Sequence, residues 1–461
     1  MSLIGELSLW MALLMSAWGA GVSFAGARMG RSDMIESGAR AVYATFALLA
    51  LAAAGLVVAL LSHDFSVEYV AAFSTTNLPT AYLIAALWAG PEGSLLFWSV
   101  SAAGCSGIAV ATRKGDDSVA PAFVTGTLAV ALLIFAGIVA AGADPFARLD
   151  WLPPDGRGMH PRLQTLVMLV QPPAAYLANA ITLVPFALAV GHLTVRSHTI
   201  EWTLTARRWM HASWLAGAIA ILLGMWWAYV DPVRTAAWAW HPVESGSIFP
   251  WLGASAFLYF SGRATPGRPR AAAVVAMLTF AAALFVTFVM HGGVLTGVDV
   301  FTPSPVASWY AGFLAAAAIL CAWLLRSRRD IVHDPVTDVA SPDTMVQSRY
   351  ARGVAIAGLL VMLAALAGTA FRANHTLRLR GGESREVSDA FGNRWTFVSQ
   401  GISRYSALNR RITAVALAAS RDGTPASVIT SEHRLHVDGR GVPTFAASVS
   451  GSWFELMTRS A

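Results

Sequence analysis

Ala41-Val-Tyr-Ala-Thr-Phe-Ala-Leu-Leu-Ala-Leu-Ala-Ala-Ala-Gly-Leu-Val-Val-Ala-Leu-Leu-Ser62 contains no charged side chain. A helix rises about 1.5 Å per residue, so a run of this length reaches across the ~30 Å hydrocarbon layer of a bilayer. Exposing such a helix to water is costly, whereas lipid solvates it freely. Working outward from it, comparable runs fall near 3–26, 81–111, 119–141, 172–195, 211–230, 247–262, 271–290, 308–325 and 353–371. Together they predict an all-α polytopic membrane protein with about 10 transmembrane helices. Composition agrees: 56% of the 461 residues are apolar and 13% charged, which excludes a single water-soluble globule.

The basic residues sort by loop. Arg28, Arg31 and Arg40, then Arg113 and Lys114, Arg196, Arg207 and Arg208, Arg263, Arg268 and Arg270, and Arg326 to Arg352 fall in alternate connections. Those connections are expected on the cytoplasmic face, which puts the N-terminus and everything after Phe371 outside a bacterial inner membrane. The net charge of +6 therefore marks topology and no nucleic-acid partner; membrane lipid is the expected surrounding. The first run lacks a basic residue ahead of it and is too long for a signal-peptide core, so it reads as a retained span. Cys105 and Cys321 lie inside apolar runs without CxxC spacing, as two inert thiols would.

Residues 1–371 thus form a transmembrane helical domain. From 372 the pattern shortens to Trp395-Thr-Phe-Val, Thr413-Ala-Val-Ala-Leu, Ser427-Val-Ile-Thr and Arg434-Leu-His-Val, separated by turns such as Arg421-Asp-Gly-Thr-Pro and Asp438-Gly. Residues 372–461 are expected to form a small extracytoplasmic antiparallel β domain. The stretch 327–350, rich in Asp, Ser and Pro, reads as a linker. Outer loops 142–171, 231–250 and 291–310 are rich in Trp, Pro and Gly, which restrict the backbone and mark ordered, functional loops.

The densest chemical signal runs from Trp226 to Trp251: a tryptophan-rich outer loop, 226–251, carrying Trp226, Trp227, Trp238, Trp240, Pro242, Phe249 and Trp251. Rigid aromatic side chains at the membrane surface make a platform for a large planar ligand such as a porphyrin. They equally make an aromatic belt that anchors helices at the headgroups. Asp231 and Glu244 flank the platform, as contacts for a basic partner or as solvated charges. Glu92, between Pro91 and Gly93 in an apolar run, reads as the cap of a broken helix, with Arg234 or a backbone amide as partner, or as a simple interfacial carboxylate. No phosphate-binding loop, Ser-His-Asp set or zinc cluster is present, which leaves hydrolase and dehydrogenase readings without residues.

The order of residues in Trp238-Ala-Trp-His-Pro-Val-Glu-Ser-Gly-Ser-Ile-Phe-Pro-Trp-Leu resembles the tryptophan-rich signature of the haem-handling proteins of cytochrome c maturation, the CcmF/NrfE branch. Asp64-Phe-Ser-Val-Glu-Tyr-Val-Ala, Leu78-Pro-Thr-Ala-Tyr, Trp88-Ala-Gly-Pro-Glu-Gly-Ser-Leu-Leu-Phe-Trp98, Gln171-Pro-Pro-Ala-Ala-Tyr and Gly293-Val-Leu-Thr-Gly-Val agree in the same order. The resemblance implies haem lyase work: haem taken from a periplasmic chaperone and presented to the thiols of an apocytochrome c, with cytochrome c maturation proteins as partners.

It also implies four His, and this sequence departs at all four, with Gln171, Asp299, Tyr259 and Leu359 at the matching positions. Leu cannot ligate iron, and Gln or Asp would be poorly matched ligands, so a bis-His haem b at those positions is not expected. Haem b is left as a transient or absent cofactor, with no other metal. His241, His291 and His160 are the candidate replacement ligands, although an isolated His is more often a solvated loop side chain with no ligand role. The resemblance also implies a block of helices near 330–350 that is missing here. Two functions follow: a CcmF-like protein handling haem at the outer face, or a non-catalytic scaffold subunit derived from one. A transporter built on the broken helix at Glu92 lacks any repeat between halves.

Overall fold

The computed structural model describes residues 2–113, 120–160, 163–195, 201–230, 242–261, 269–291, 306–327, 380, 382–388, 392–407, 410–436, 441–444, 446–449 and 452–455. They fall into two compact units, one helical and one built from strands.

The helical unit begins with two long helices, α1 (Ser2–Met29) and α2 (Ser32–Leu61). They pack through small buried positions, among them Ala12, Ala20, Ala39 and Ala41, which let two backbones approach closely without a hydrophobic drive from water. Short helices α3 (Glu68–Phe73) and α4 (Thr80–Ala85), with a 3-10 turn at Ala86–Trp88, lead into α5 (Pro91–Ala111). Next come α6 (Ala120–Gly137), extended by a π-helical turn, Ile138–Ala143, then α7 (Leu166–Ile181) and α8 (Leu183–Thr194). The last four are α9 (Glu201–Val230), α10 (Pro242–Phe260), α11 (Pro269–His291) and α12 (Val306–Ser327).

Eight helical stretches among the described residues are long and apolar enough to cross a membrane, with α7 and α8 counted as one, and α10 supplies the shorter apolar helix Ser247–Phe260. Nine of the runs seen in the sequence are therefore helices of a multi-pass membrane protein; the tenth, 353–371, lies outside the described residues, as does the 327–350 linker beyond Ser327. Trp98, fully buried, centres the packing: its ring stacks on Tyr310 at 5.9 Å and 8° and meets Phe135 edge-on at 4.7 Å.

The loops on one side of the bundle form an ordered cap. Residues 66–68 and 147–149 pair as a short antiparallel bridge: Glu68 N–H donates to Ala147 O at 2.8 Å and Leu149 N–H to Ser66 O at 2.9 Å. Farther along, Arg157 N–H donates to Ala71 O at 2.7 Å, and Asp155 accepts from the backbone and hydroxyl of Thr76. The Pro and Gly content of 142–160 is thus used to lay one loop against another, so that backbone groups find partners away from any helix.

The second unit is a five-stranded antiparallel meander: β1 (Ser384–Ser388), β2 (Arg394–Ala407), β3 (Arg410–Arg421), β4 (Thr424–His436) and β5 (Gly441–Thr444) in sequential order. A separate hairpin pairs β6 (Ala446–Val449) with β7 (Ser452–Glu455). The turn read at Arg421-Asp-Gly-Thr holds Asp422 at φ 50° and Gly423 at φ 81°, the two left-handed residues that a tight hairpin of this twist needs. One detail differs from the sequence pattern. Ser427–Thr430 and Arg434–His436 are not separate strands but parts of β4, which pairs with β3 along its length. The polar residues between them stay extended because each has a β3 residue opposite, with Glu432 facing Ala414 and His433 facing Thr413. The Asp438-Gly turn lies outside the described residues.

Candidate functional site

The site begins with a proline. Pro172 and Pro173 sit inside α7 directly after Gln171. Pro172 has no N–H, so the carbonyl four residues back, Met168 O, loses its helical donor. The indole of Trp88 takes that place, donating from Nε1 to Met168 O at 2.8 Å. Two stretches 80 residues apart in sequence are joined by this one bond: Trp88-Ala-Gly-Pro-Glu-Gly supplies the donor, and Gln171-Pro-Pro frees the acceptor.

Trp88 is itself held by the cap. The Tyr69 hydroxyl donates to Ala86 O at 2.7 Å and accepts from Gly90 N–H at 3.0 Å, closing the break between the 3-10 turn and α5. Gly93 is required by this closure, since a Cβ there would lie 2.1 Å from Leu87 O and 2.4 Å from the Tyr69 hydroxyl. Burial, reinforced by the Glu92 carboxylate nearby, holds the Tyr69 phenol well above its ordinary range, so it stays neutral and able to donate. Glu92 occupies the first turn of α5 and is partly buried there, the position in which a carboxylate faces the positive end of a helix.

Gln171, buried, turns its amide toward α9, 3.7 Å from where a Cβ on Gly224 would stand. Below it α7, α9 and α10 enclose a cleft lined by Ala175, Ala178, Asn179, Ser213, Gly217, Ala220, Ser247, Pro250 and Trp251. Ser213 ties α9 to α7 by donating to Ala178 O at 2.9 Å. Trp214 ties α9 to α10: its ring stacks on Trp251 at 5.6 Å and 28°, and its Nε1 donates to Ser255 Oγ at 2.9 Å. The Trp251 Nε1 is buried and has no acceptor among the described residues. The enclosed room in the cleft is about that of a single water molecule, far below what a drug-sized ligand needs. A tetrapyrrole is far larger, and none of the side chains lining the cleft is a His, Cys, Met or Tyr, the axial ligands that hold haem iron. The cleft therefore does not fit a resident haem b.

The other sequence-selected residues fall as follows. Trp226 and Trp227 end α9 on different sides: Trp227 packs against the core, and Trp226 is 59% exposed. Phe249, 54% exposed, and half-buried Trp251 lie on α10, whose first turn includes Pro242 and Glu244. Tyr259 is 69% exposed on the same helix. His160 is half-buried in the loop before α7, where its carbonyl accepts from Leu163 N–H at 2.9 Å. His291 is the final residue of α11. Asp231, Arg234, Trp238, Trp240, His241, Asp299 and Leu359 lie outside the described residues. Sequence reasoning did not single out Tyr69, Trp214, Ser213 or Asn179; Tyr69 stood within a quoted stretch, while the other three carried no local signal.

Comparison with known proteins bears on the same elements. The family described as Cytochrome C assembly protein matches residues 88–294. The cytochrome c-type biogenesis protein CcmF of Haemophilus influenzae is 31% identical over 310 residues, covering 67% of this chain and 48% of that protein. The probable cytochrome c-type biogenesis protein NrfE of Escherichia coli K12 is 32% identical over 327 residues, 68% of this chain and 58% of its own. The chain spans about half the length of the curated relatives it matches. A solved structure titled Cytochrome c Heme Lyase CcmF shares the fold, with a TM-score of 0.72 at 21% identity over 97% of this chain and 90% of that one. Because the matched region contains both halves of the Trp88–Met168 contact and the whole tryptophan-rich loop, the likeness extends to the elements that build the site, and the chain belongs to the CcmF/NrfE-type family of cytochrome c-type biogenesis proteins.

Proposed function

We propose that this chain serves cytochrome c-type biogenesis as a CcmF-like protein that holds haem at the outer membrane face for covalent attachment to apocytochrome c. The observation that supports this best is the Trp88–Met168 bond, which fixes α7 so that Gln171 faces α9 near Gly224, just before the tryptophan-rich loop starts. In this reading haem is cargo. Its seat in this reading is drawn from Trp227, Trp238, Trp240, Pro242, Phe249 and Trp251, with His241, His291 and His160 as the iron ligands to test. Asp231 and Glu244 are the charges this reading offers to a basic partner, and Glu92 supports the cap. The bond-forming step needs no group from this chain as a reactant: an apocytochrome thiol adds across a haem vinyl, sulfur bonding one carbon and the proton going to the other.

Arginine-rich connections support an N-terminus and β domain on the outer side. A periplasmic haem chaperone and an apocytochrome-handling protein are the partners in this reading. The deciding experiment is complementation of a bacterial strain lacking its own lyase, scored by haem bound covalently to c-type cytochromes. Restored cytochromes and a Soret band that survives washing of the purified protein are expected, with the band lost in His241→Ala if that residue ligates iron. A colourless protein that restores nothing removes the haem-handling reading.

A further inference from the structure

The exposed face of α9 carries a pattern that the haem reading does not use. Arg208, His211, Leu215, Ile219, Leu222 and Trp226 recur at spacings of three and four residues, which places them on one stripe, and all six are exposed. From Arg208 to Trp226 the helix rises about 27 Å, close to the ~30 Å thickness of the hydrocarbon layer. An arginine and a histidine thus stand at one membrane boundary, a tryptophan at the other, and apolar side chains between.

We propose that this face seats one anionic phospholipid, its phosphate held by Arg208 and His211 and an acyl chain lying along Leu215, Ile219 and Leu222. Arg208 makes no hydrogen bond or ion pair with a described residue, whereas its neighbour Arg207 donates to Leu258 O at 3.0 Å. The guanidinium fork matches a phosphate in two parallel hydrogen bonds. His211 Nδ1 lies 2.7 Å from Arg207 O, which orients the ring and leaves Nε2 for a partner outside the helix. The charge of Arg208 selects an anionic headgroup, and the apolar stripe selects a tail. Free phosphate satisfies only the first requirement, and a zwitterionic lipid, whose ammonium offsets its phosphate, satisfies the first only weakly. Trp226 then anchors the far end at the opposite boundary, as interfacial indoles do.

The test titrates phosphatidylglycerol into the delipidated full chain in detergent and reads bound lipid by native mass spectrometry. Arg208→Gln is expected to weaken the first phosphatidylglycerol about fivefold, the factor that one cation near an anionic headgroup supports, and Arg208→Gln/His211→Gln to weaken it further. Phosphatidylcholine should bind wild type more weakly than phosphatidylglycerol and lose less in the double variant, and inorganic phosphate at matching concentration should not compete. Equal phosphatidylglycerol binding by wild type and double variant overturns the proposal, as does displacement by inorganic phosphate, which would make this an anion site alone. A second measurement keeps the question open to refutation if the double variant folds poorly. A nitroxide at Leu222→Cys, with Cys105 and Cys321 replaced by Ala, should collide with oxygen far more than with a water-soluble nickel chelate. Low collision with both means that protein covers the face, and the seat does not exist.

Discussion

The cap and the three-helix cleft both hold α7, but by different means. The cap grips it through backbone groups: the Trp88 indole on Met168 O, with Tyr69 behind it bonded to Ala86 O and Gly90 N–H. The cleft meets it through small side chains, Ala175, Ala178 and Asn179 against Ser213, Gly217 and Ala220, with one cross-helix bond from Ser213. A backbone carbonyl cannot move aside without moving a helix, whereas small side chains leave room beside them. The cap should therefore be intolerant of added volume, and the cleft tolerant of it.

Gly93→Ala should have the largest effect. Its Cβ would meet a carbonyl that has no freedom to retreat, and a loss of about 3 kcal/mol or more is expected, read as a lowered unfolding midpoint and poor yield in detergent. If the variant unfolds like wild type, the cap is looser than described and the contrast with the cleft fails.

Trp88→Phe should come next. It leaves Met168 O without a donor, costing about 1–3 kcal/mol. The contrast sharpens in a Pro172→Ala background, where residue 172 regains an N–H for that carbonyl. There Trp88→Phe should cost about 1 kcal/mol less than in the native chain, a coupling that a double-mutant cycle measures directly. Equal costs in both backgrounds would show that Trp88 acts through packing alone.

Tyr69→Phe should cost a similar 1–3 kcal/mol near neutral pH, and it carries a pH signature. Burial raises the Tyr69 pKa in the folded state above its ordinary value. Its contribution is thus complete below the ordinary tyrosine range near pH 10 and is lost as pH rises toward the folded value, because the unfolded phenol ionises first. The stability gap between wild type and Tyr69→Phe should narrow as pH climbs above about 10. A gap that stays constant would place the Tyr69 hydroxyl in water.

Gly217→Ala, in the cleft, should be mildest. Its Cβ would stand 3.2 Å from the Trp251 ring, a small displacement for a side chain, so a change under about 1 kcal/mol is expected by thermal unfolding. A loss as large as that of Gly93→Ala would erase the distinction between the two regions.

Much of the architecture was legible because membrane spans are declared locally. A run such as 41–62 needs no distant partner to become a helix, since its backbone bonds are internal and lipid accepts every face. The Asp422-Gly423 turn was legible for the same local reason. The extent of β4 was not, because Thr430-Ser-Glu-His continues the strand only through its pairing with β3. Within the site, Gln171-Pro-Pro announced a missing helical donor but not who replaces it. The choice of Trp88 depends on the cap bringing residue 88 beside residue 168. Trp226 and Trp227 are adjacent in sequence and chemically identical, so no pattern of residue types could tell that one meets the core and the other faces outward.

Order along the chain alone determined that this protein lives in a membrane, where its spans lie, and which lineage its tryptophan-rich loop belongs to. These depend on hydropathy and residue order, which folding does not alter. Tertiary structure decided that the carbonyl freed by Pro172 is satisfied by an indole 80 residues away, that Gln171 faces α9, and that the cleft beneath is too narrow for a tetrapyrrole. Those outcomes depend on distances between segments remote in sequence, and such distances come into being only when the helices pack.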